Sequence, residues 1–375
     1  MKKSLILLLC TVLLMSFKND SLPEGKLAKI IIHSTQGFHL NIGQTAFLSV
    51  KGFDQSNRAV ALKSSLSWSA NNDNLTVDQN GKVIAIKAGT TTVSVHTEGF
   101  RAHYKIYVWK NGYKTEIYVS DAGNFNKGPY QIIKLDENGE NPVVFNKDKV
   151  TWPQDIVFLE KKGIALISNL TARSIGRYDI KTGKFISNFA TGIAGPTRMK
   201  IGADGLLYVL QWGGNGLVKR YKPDGTFVDN FTKVKVFQSI GMDWDKAGNL
   251  YVSSFNQGKG GFVHKFGSKG EDLGKFIDKN IKGATNIWFN ETGELFVNDY
   301  TAGILKKFDA NGKFLKDVSS NIKKIEGFGL LKDKILIGCR NSVKMFDKNG
   351  QFIKDFYTSK NLLNANAVII RYVAK

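Results

Sequence analysis

Several side chains in the later two-thirds of the chain recur at matching offsets from short apolar runs, and their types bound the available chemistry. Asp121, Asn169, Gln211, Ser254, Asp299 and Cys339 each close such a run, as Gln211 closes Leu206–Leu210. The residues that follow them are Ala122, Leu170, Trp212, Phe255, Tyr300 and Arg340, so three consecutive repeats present an aromatic ring. Exposed rings beside amides and carboxylates suit stacking on a sugar or gripping an extended peptide. The competing reading packs the same rings between repeats as core. A second set, Asp155, Arg198 and Asn286, stands near the start of other apolar runs. Asp155 and Arg198 fall in successive repeats and can pair with each other instead of with a ligand. Asp121 and Asp299 would make a carboxylate pair if the fold brought them together.

Other chemistries lack their carriers. After residue 110 the one histidine is His264, inside Phe262-Val263-His264-Lys265-Phe266, a poor place for a catalytic acid–base group. His33, His39, His96 and His103 precede it without tight ligand spacing and without a cysteine, which argues against zinc. There is no G-x-S-x-G, no phosphate-binding glycine loop and no zinc-binding histidine motif. No cofactor is expected. The cysteines are Cys10 and Cys339. Once Cys10 is assigned to a leader, a single thiol remains and packing must hold the fold without an internal disulfide.

A chain of 375 residues has room for two domains, and 42% hydrophobic content with 25 Phe supplies a large core. With 38 Gly and only 6 Pro, it reads as short strands joined by tight turns, an all-β protein. The net charge of +21 is dispersed: 9 Lys and Arg face 4 Asp and Glu in residues 27–110, and 40 face 26 in residues 111–375. The longest basic runs are pairs such as Lys161-Lys162 and Lys323-Lys324, so no nucleic-acid footprint is expected. A solvated basic surface is one reading, and attraction to anionic glycans or cell envelopes is the functional one. Residues 1–20 pair a basic start with a mostly apolar run, Ser4–Phe17, shorter than the roughly 20 residues of a membrane span. They are expected to be a secretory signal peptide, the alternatives being an uncleaved anchor or a lipid anchor on Cys10. Export to the periplasm, cell surface or medium follows, with no transmembrane segment after the leader.

Residues 27–110 alternate with period two between turn signals, as a small sandwich does. Val77-Asp78-Gln79-Asn80-Gly81-Lys82-Val83-Ile84-Ala85, then Ala88-Gly89-Thr90-Thr91-Thr92-Val93-Ser94-Val95, with Trp68-Ser69 upstream, resembles the bacterial immunoglobulin-like domain of group 2. Asn80-Gly81 is expected to supply the positive φ values of a two-residue hairpin turn, and Trp68 to be core. The resemblance implies a spacer or adhesive module.

Residues 111–375 repeat. Turn glycines stand at Gly139, Gly183, Gly225, Gly270, Gly312 and Gly350, spaced by 44, 42, 45, 42 and 38 residues. A period near 42 with about four strands per unit marks a six-bladed propeller. First strands read Pro153–Phe158, Pro196–Ile201, Ser239–Trp244, Ala284–Phe289 and Glu326–Leu331. The unit holding Gly139 lacks one, and Asn366–Ile370 fits the pattern, so the C-terminus is expected to complete the first blade and close the ring.

Gly205-Leu206-Leu207-Tyr208-Val209, and Gly293-Glu294-Leu295-Phe296-Val297-Asn298-Asp299 through Phe308-Asp309-Ala310-Asn311-Gly312, resemble the NHL-repeat family of six-bladed propellers. That family's fold hosts binding and catalysis alike. Asn286 and Asp299 also resemble two of the divalent-cation ligands of the regucalcin and gluconolactonase family, but they share one blade and no matching Glu is evident. Gly195-Pro196-Thr197 resembles the streptogramin lyase family, whose catalytic His has no counterpart here. The expectation is therefore an exported, non-enzymatic protein binding a glycan, peptide or protein at the cell envelope through the propeller's top face. Its contact residues would be Asp121, Asp155, Arg198, Gln211, Trp212, Phe255, Asn286, Asp299, Tyr300 and Arg340. The alternative is a divalent-metal-dependent propeller hydrolase or lyase, similar to the gluconolactonases or the streptogramin lyases.

Overall fold

The computed structural model describes residues 25–320 and 322–375. The leader expected at residues 1–20 lies outside them. Among the described residues no helix is long and apolar enough to cross a membrane. The chain is all-β and divides into two compact units, the first ending at Lys110 and the second running Asn111–Lys375.

In the first unit, Lys29–Ser34, Thr45–Phe53, Lys82–Ala85 and Leu75–Val77 form one sheet, with Ala59–Val60 on the Thr45–Phe53 strand. His39–Asn41, Phe100–Trp109, Gly89–Thr97 and Ser67–Ala70 form the other. Alternation along Gly89–Thr97 buries Thr91, Val93, Val95 and Thr97. Val93 and Val95 join Ile30, Leu48, Val83 and the buried Trp68 in a core shared by the two sheets. The 78–82 turn differs from expectation. Only Gly81 takes a positive φ, +78°, because Asp78 Oδ1 accepts the Asn80 and Lys82 N–H groups at 2.9 Å each and holds Asn80 right-handed.

The second unit is a six-bladed β-propeller of four-stranded antiparallel sheets. Blade 2 runs Pro153–Leu159, Ile164–Asn169, Ser174–Asp179 and Phe185–Thr191 from axis to rim, and blades 3 to 6 repeat the order. In blade 1 the innermost strand is the C-terminal one, Ala365–Ala374, paired antiparallel with Tyr113–Asp121. Each innermost strand touches the next one around the axis. Pro153–Leu159 meets Pro196–Ile201, then come Ser239–Trp244, Ala284–Phe289 and Ile325–Leu331, and Ala365–Ala374 returns to Pro153–Leu159. The ring is closed, and the expected closing strand is the one that closes it.

Each innermost strand carries a β-bulge at one position, between its first and third or fourth residues. The bulges re-aim Asn366, Gln154, Arg198, Asn286 and Glu326 near the axis. Side chains from one blade then bond to the innermost backbone of the next. Ser120 donates to the Pro153 carbonyl at 2.8 Å, Ser168 to Thr197 at 2.7 Å, Thr197 to Ser239 at 2.8 Å, Ser253 to Thr285 at 2.5 Å and Asn298 to Glu326 at 3.0 Å. At the sixth seam a glycine replaces the donor, because a Cβ on Gly338 would lie 2.4 Å from the Ala365 carbonyl oxygen.

The repeating turn glycines mark the outer seams. Gly183 has φ +72°, and a Cβ there would sit 1.9 Å from the Phe145 carbonyl oxygen of the preceding blade. Gly139, Gly225, Gly270 and Gly312 press on Phe356, Phe189, Phe231 and Phe276 in the same way. A period of one glycine per blade is thus the imprint of one close contact per seam. Gly183→Ala is expected to cost about 3 kcal/mol by denaturant midpoint, combining the left-handed backbone with the clash. Gly163→Ala, with φ +65° but open space around it, should cost only about 1 kcal/mol. Equal losses would remove the seam argument. Deleting residues 364–375 should abolish the cooperative thermal transition of the propeller, and a truncated chain melting like its parent would show that closure is dispensable.

Candidate functional site

Loops that follow each blade's second strand share one face, here the top face, with the segments leading into the innermost strands. Antiparallel order places the other turns, those carrying Gly183 and its equivalents, on the opposite face. The aligned residues occupy equivalent places: Asp121, Asn169, Gln211, Ser254, Asp299 and Cys339 each pair with the first residue of the innermost strand. All six are buried.

Their polar atoms are spent on the chain itself. Asp299 accepts N–H groups from Lys282 at 2.8 Å, Gly283 at 3.0 Å and Ala302 at 3.2 Å. Asp121 accepts from Gly123 at 2.9 Å, Asn364 at 2.8 Å and Leu363. Asn169 takes the Thr151 N–H at 3.0 Å, Gln211 takes that of Ala194 at 3.3 Å, and Ser254 donates to the Phe237 carbonyl at 2.6 Å. Each braces the lead-in segment of its own blade, satisfying backbone groups that would otherwise be buried without partners. Asp121 and Asp299 stand in separate blades, each committed to its own loop. Burial pushes the Cys339 thiol up to about 11.

The next positions face the rim differently. Ala122, Leu170, Trp212, Phe255 and Tyr300 donate their N–H groups to the residue just before the innermost strand, respectively Asn364, Trp152, Gly195, Gln238 and Gly283. Trp212, Phe255 and Tyr300 are half-buried. Trp212 and Phe255 have ring centroids 5.7 Å apart and tilted by 31°, and Phe255 meets Tyr300 edge-on at 5.8 Å. The three therefore form a continuous strip across blades 3 to 5, partly packed on one another and partly open. Beyond Tyr300 the strip runs into a cavity of about 270 Å³ lined by Phe125, Tyr300, Lys324, Arg340 and Asn364. Lys324 Nζ lies 4.6 Å from the Tyr300 ring centroid.

The ring's axis holds a buried polar cluster. Arg198 donates to the carbonyls of Gln154 and Asn366 and lies 3.4 Å from the Glu326 carboxylate. It thus ties blade 3 to blades 2, 1 and 6. The expected Asp155–Arg198 ion pair is replaced by this cross-ring one. Asp155 instead accepts the Met199 N–H at 2.8 Å and that of Ile156 at 2.9 Å. Burial raises its pKa, while the nearby Arg198 charge pulls the other way. Burial also lifts Glu326 to about 7, opposed by Arg198. Asn286 is half-buried on the innermost strand of blade 5.

Glu326 is the axial glutamate that sequence reasoning missed. It stands at the bulge position equivalent to Gln154 and Asn366, a column that could have revealed it. Phe125, Lys324 and Asn364 were missed as well, because they lie in segments leading to or from the aligned strands. The divalent-cation set of the gluconolactonase resemblance does not fit these residues. Asp299 spends its oxygens on three N–H groups and Glu326 faces a guanidinium. Among the described residues no three His, Cys, Asp or Glu side chains cluster as ligands.

No protein-family model matches the chain, and no curated protein does. Solved structures do. A chain of a nidogen–laminin complex aligns with TM-score 0.57 and 14% identity over 68% of this chain and 98% of its own. A Bacteroides caccae protein of unknown function aligns with TM-score 0.54 and 14% identity, over 70% and 100%. A gluconolactonase from Xanthomonas campestris aligns at TM-score 0.49 with 15% identity, over 59% and 80%. The first two likenesses bear on the fold, a β-propeller.

Glu326 sets a pH dependence. Its ordinary value of 4.5 rises to about 7 on folding, so the folded chain retains a proton that the unfolded chain releases. Its stabilising contribution is complete below about 4.5 and is lost as the pH rises through about 7, up to about 3 kcal/mol in all. The stability of Glu326→Gln relative to the parent, from denaturant midpoints, should therefore improve between pH 4.5 and pH 8. A difference that stays flat over this range would contradict a buried, protonatable Glu326.

Proposed function

We propose that this chain is an exported binding protein of the cell envelope, in which an NHL-like propeller recognises a glycan, peptide or protein on its top face. The first unit is, on this reading, a bacterial immunoglobulin-like spacer. The observation that carries the proposal is the Trp212–Phe255–Tyr300 strip opening into the cavity beside Lys324 and Arg340. Half-buried aromatic rings held by their neighbours offer a preorganised apolar surface, and polar groups at its end fix orientation. A nidogen–laminin complex is an instance of a related fold in a protein assembly.

Catalysis has less support. His264 is held 2.6 Å from Asp272 within blade 4, on the third strand from the axis. The Cys339 thiol is buried and far from ionising at neutral pH, so it makes a poor nucleophile. The reading thus rests on binding groups rather than on a placed acid, base or nucleophile.

Trp212→Ala combined with Tyr300→Ala should lower retention on glycan arrays or envelope fragments by tenfold or more. The thermal midpoint should fall only a few degrees, because ring–ring contacts of this kind contribute about 0.5–1.5 kcal/mol each. Collapse of the fold would assign the rings to the core, and unchanged retention would remove them from the binding surface.

A further inference from the structure

The cavity beyond Tyr300 has a one-sided chemistry. Its charged wall residues are Lys324 and Arg340, and no Asp or Glu lines it. Neither cation has a carboxylate within ion-pair distance among the described residues, and Arg340 is exposed. Asp121, beside the floor, has its carboxylate occupied by the N–H groups of Gly123, Leu363 and Asn364. Asn364 is buried at the wall, 4% exposed, with its amide nitrogen lacking an acceptor. Burial, with the Glu326 charge adding to it and Arg340 opposing, pushes the Tyr300 hydroxyl well above its ordinary value, so it remains a donor at neutral pH.

The backbone holds these groups at a cost. Phe125, Lys324 and Arg340 have φ values of +48°, +59° and +49°, a left-handed region that non-glycine residues seldom adopt. Two aromatic walls, Phe125 and Tyr300, flank the cations. A volume of about 270 Å³ is near the lower end of the usual ligand-pocket range, roughly 300–1,000 Å³, and suits one small ring rather than a folded segment. A peptide gripped by strand addition would need an open sheet edge. The propeller's free edges lie at the outer rim, and its inner strands are enclosed.

We propose that this cavity binds an anionic sugar residue of an acidic polysaccharide, with Lys324 and Arg340 holding its carboxylate or sulfate between the rings of Phe125 and Tyr300. The inference rests on the top face being a binding surface, and it names the ligand class. Neighbouring sugars would lie along Phe255 and Trp212, and the excess of 40 Lys and Arg over 26 Asp and Glu in residues 111–375 would draw the polyanion toward the propeller.

The test uses the full chain on immobilised polygalacturonate, its neutral methyl ester, dextran sulfate, dextran and polyglutamate. Retention is expected on polygalacturonate or dextran sulfate, the two arms separating carboxylate from sulfate, and not on the ester or dextran. Lys324→Met with Arg340→Gln should weaken that binding at least tenfold, as loss of charge-assisted hydrogen bonds does, with thermal midpoints unchanged within a few degrees. Lys161→Gln with Lys313→Gln removes the same charge from exposed sites on the opposite face and should change affinity less than twofold. Equal losses in the two double variants would reduce the effect to bulk charge and overturn the proposal. Polyglutamate bound as tightly as polygalacturonate would overturn the sugar assignment. Binding of neutral glycans that depends on Trp212 but not on Lys324 or Arg340 would overturn the anionic inference while sparing the top-face reading. Retention on none of the matrices or envelope fragments would overturn both.

Discussion

The propeller depends on one closure: the strand Ala365–Ala374 pairing with Tyr113–Asp121. That ladder brings residues more than 240 positions apart into one blade and makes the innermost strands a ring rather than a row. Without that pairing Tyr113–Asp121 would be the open edge of a three-stranded blade. Arg198 reinforces the same joint from inside, bonding at once to the carbonyls of Gln154 and Asn366 and to Glu326. Because these partners come from blades 1, 2 and 6, the guanidinium pins the C-terminal strand to its neighbours around the axis. A buried ion pair of this kind is weak evidence for net stability, but removing one partner strands the other charge in a dry site. The axis is therefore a place where the chain tolerates little change.

The rim follows from the closed ring. Bracing of each lead-in segment by Asp121, Asn169, Gln211, Ser254 or Asp299 fixes the loops of the top face to the second strands, so the residues one position later project from a rigid frame. Trp212, Phe255 and Tyr300 are placed by that frame and touch across blade boundaries. Functional groups are held best when their supports are already locked.

Much of this was legible in the sequence because the relevant residues answer to two constraints at once. A turn glycine such as Gly183 is demanded both by φ and by the carbonyl of the neighbouring blade, so it recurs once per repeat. The closing strand was legible because the first blade lacked an innermost strand and the tail supplied its pattern. The polar column was legible as a column but not in its role. Asp, Asn, Gln and Ser at a strand end serve equally as ligand contacts or as acceptors and donors for backbone groups, and only the fold turns Asp121 and Asp299 inward. Glu326 escaped notice because its partner, Arg198, is 128 residues away. The two-residue hairpin expected at Asn80-Gly81 failed for a local reason, the Asp78 side chain capping the turn. The same Asp-centred bonding recurs at Asp136, Asp309 and Asp347 in the propeller.

Hydrogen–deuterium exchange of the intact chain, with and without a saturating acidic oligosaccharide, tests the central claim that the top face is the recognition surface. Protection is expected in the loops around Phe125, Trp212, Phe255, Tyr300, Lys324 and Arg340, with the turns at Gly139, Gly183 and Gly312 unchanged. Protection confined to those turns, or to residues 27–110, would contradict it.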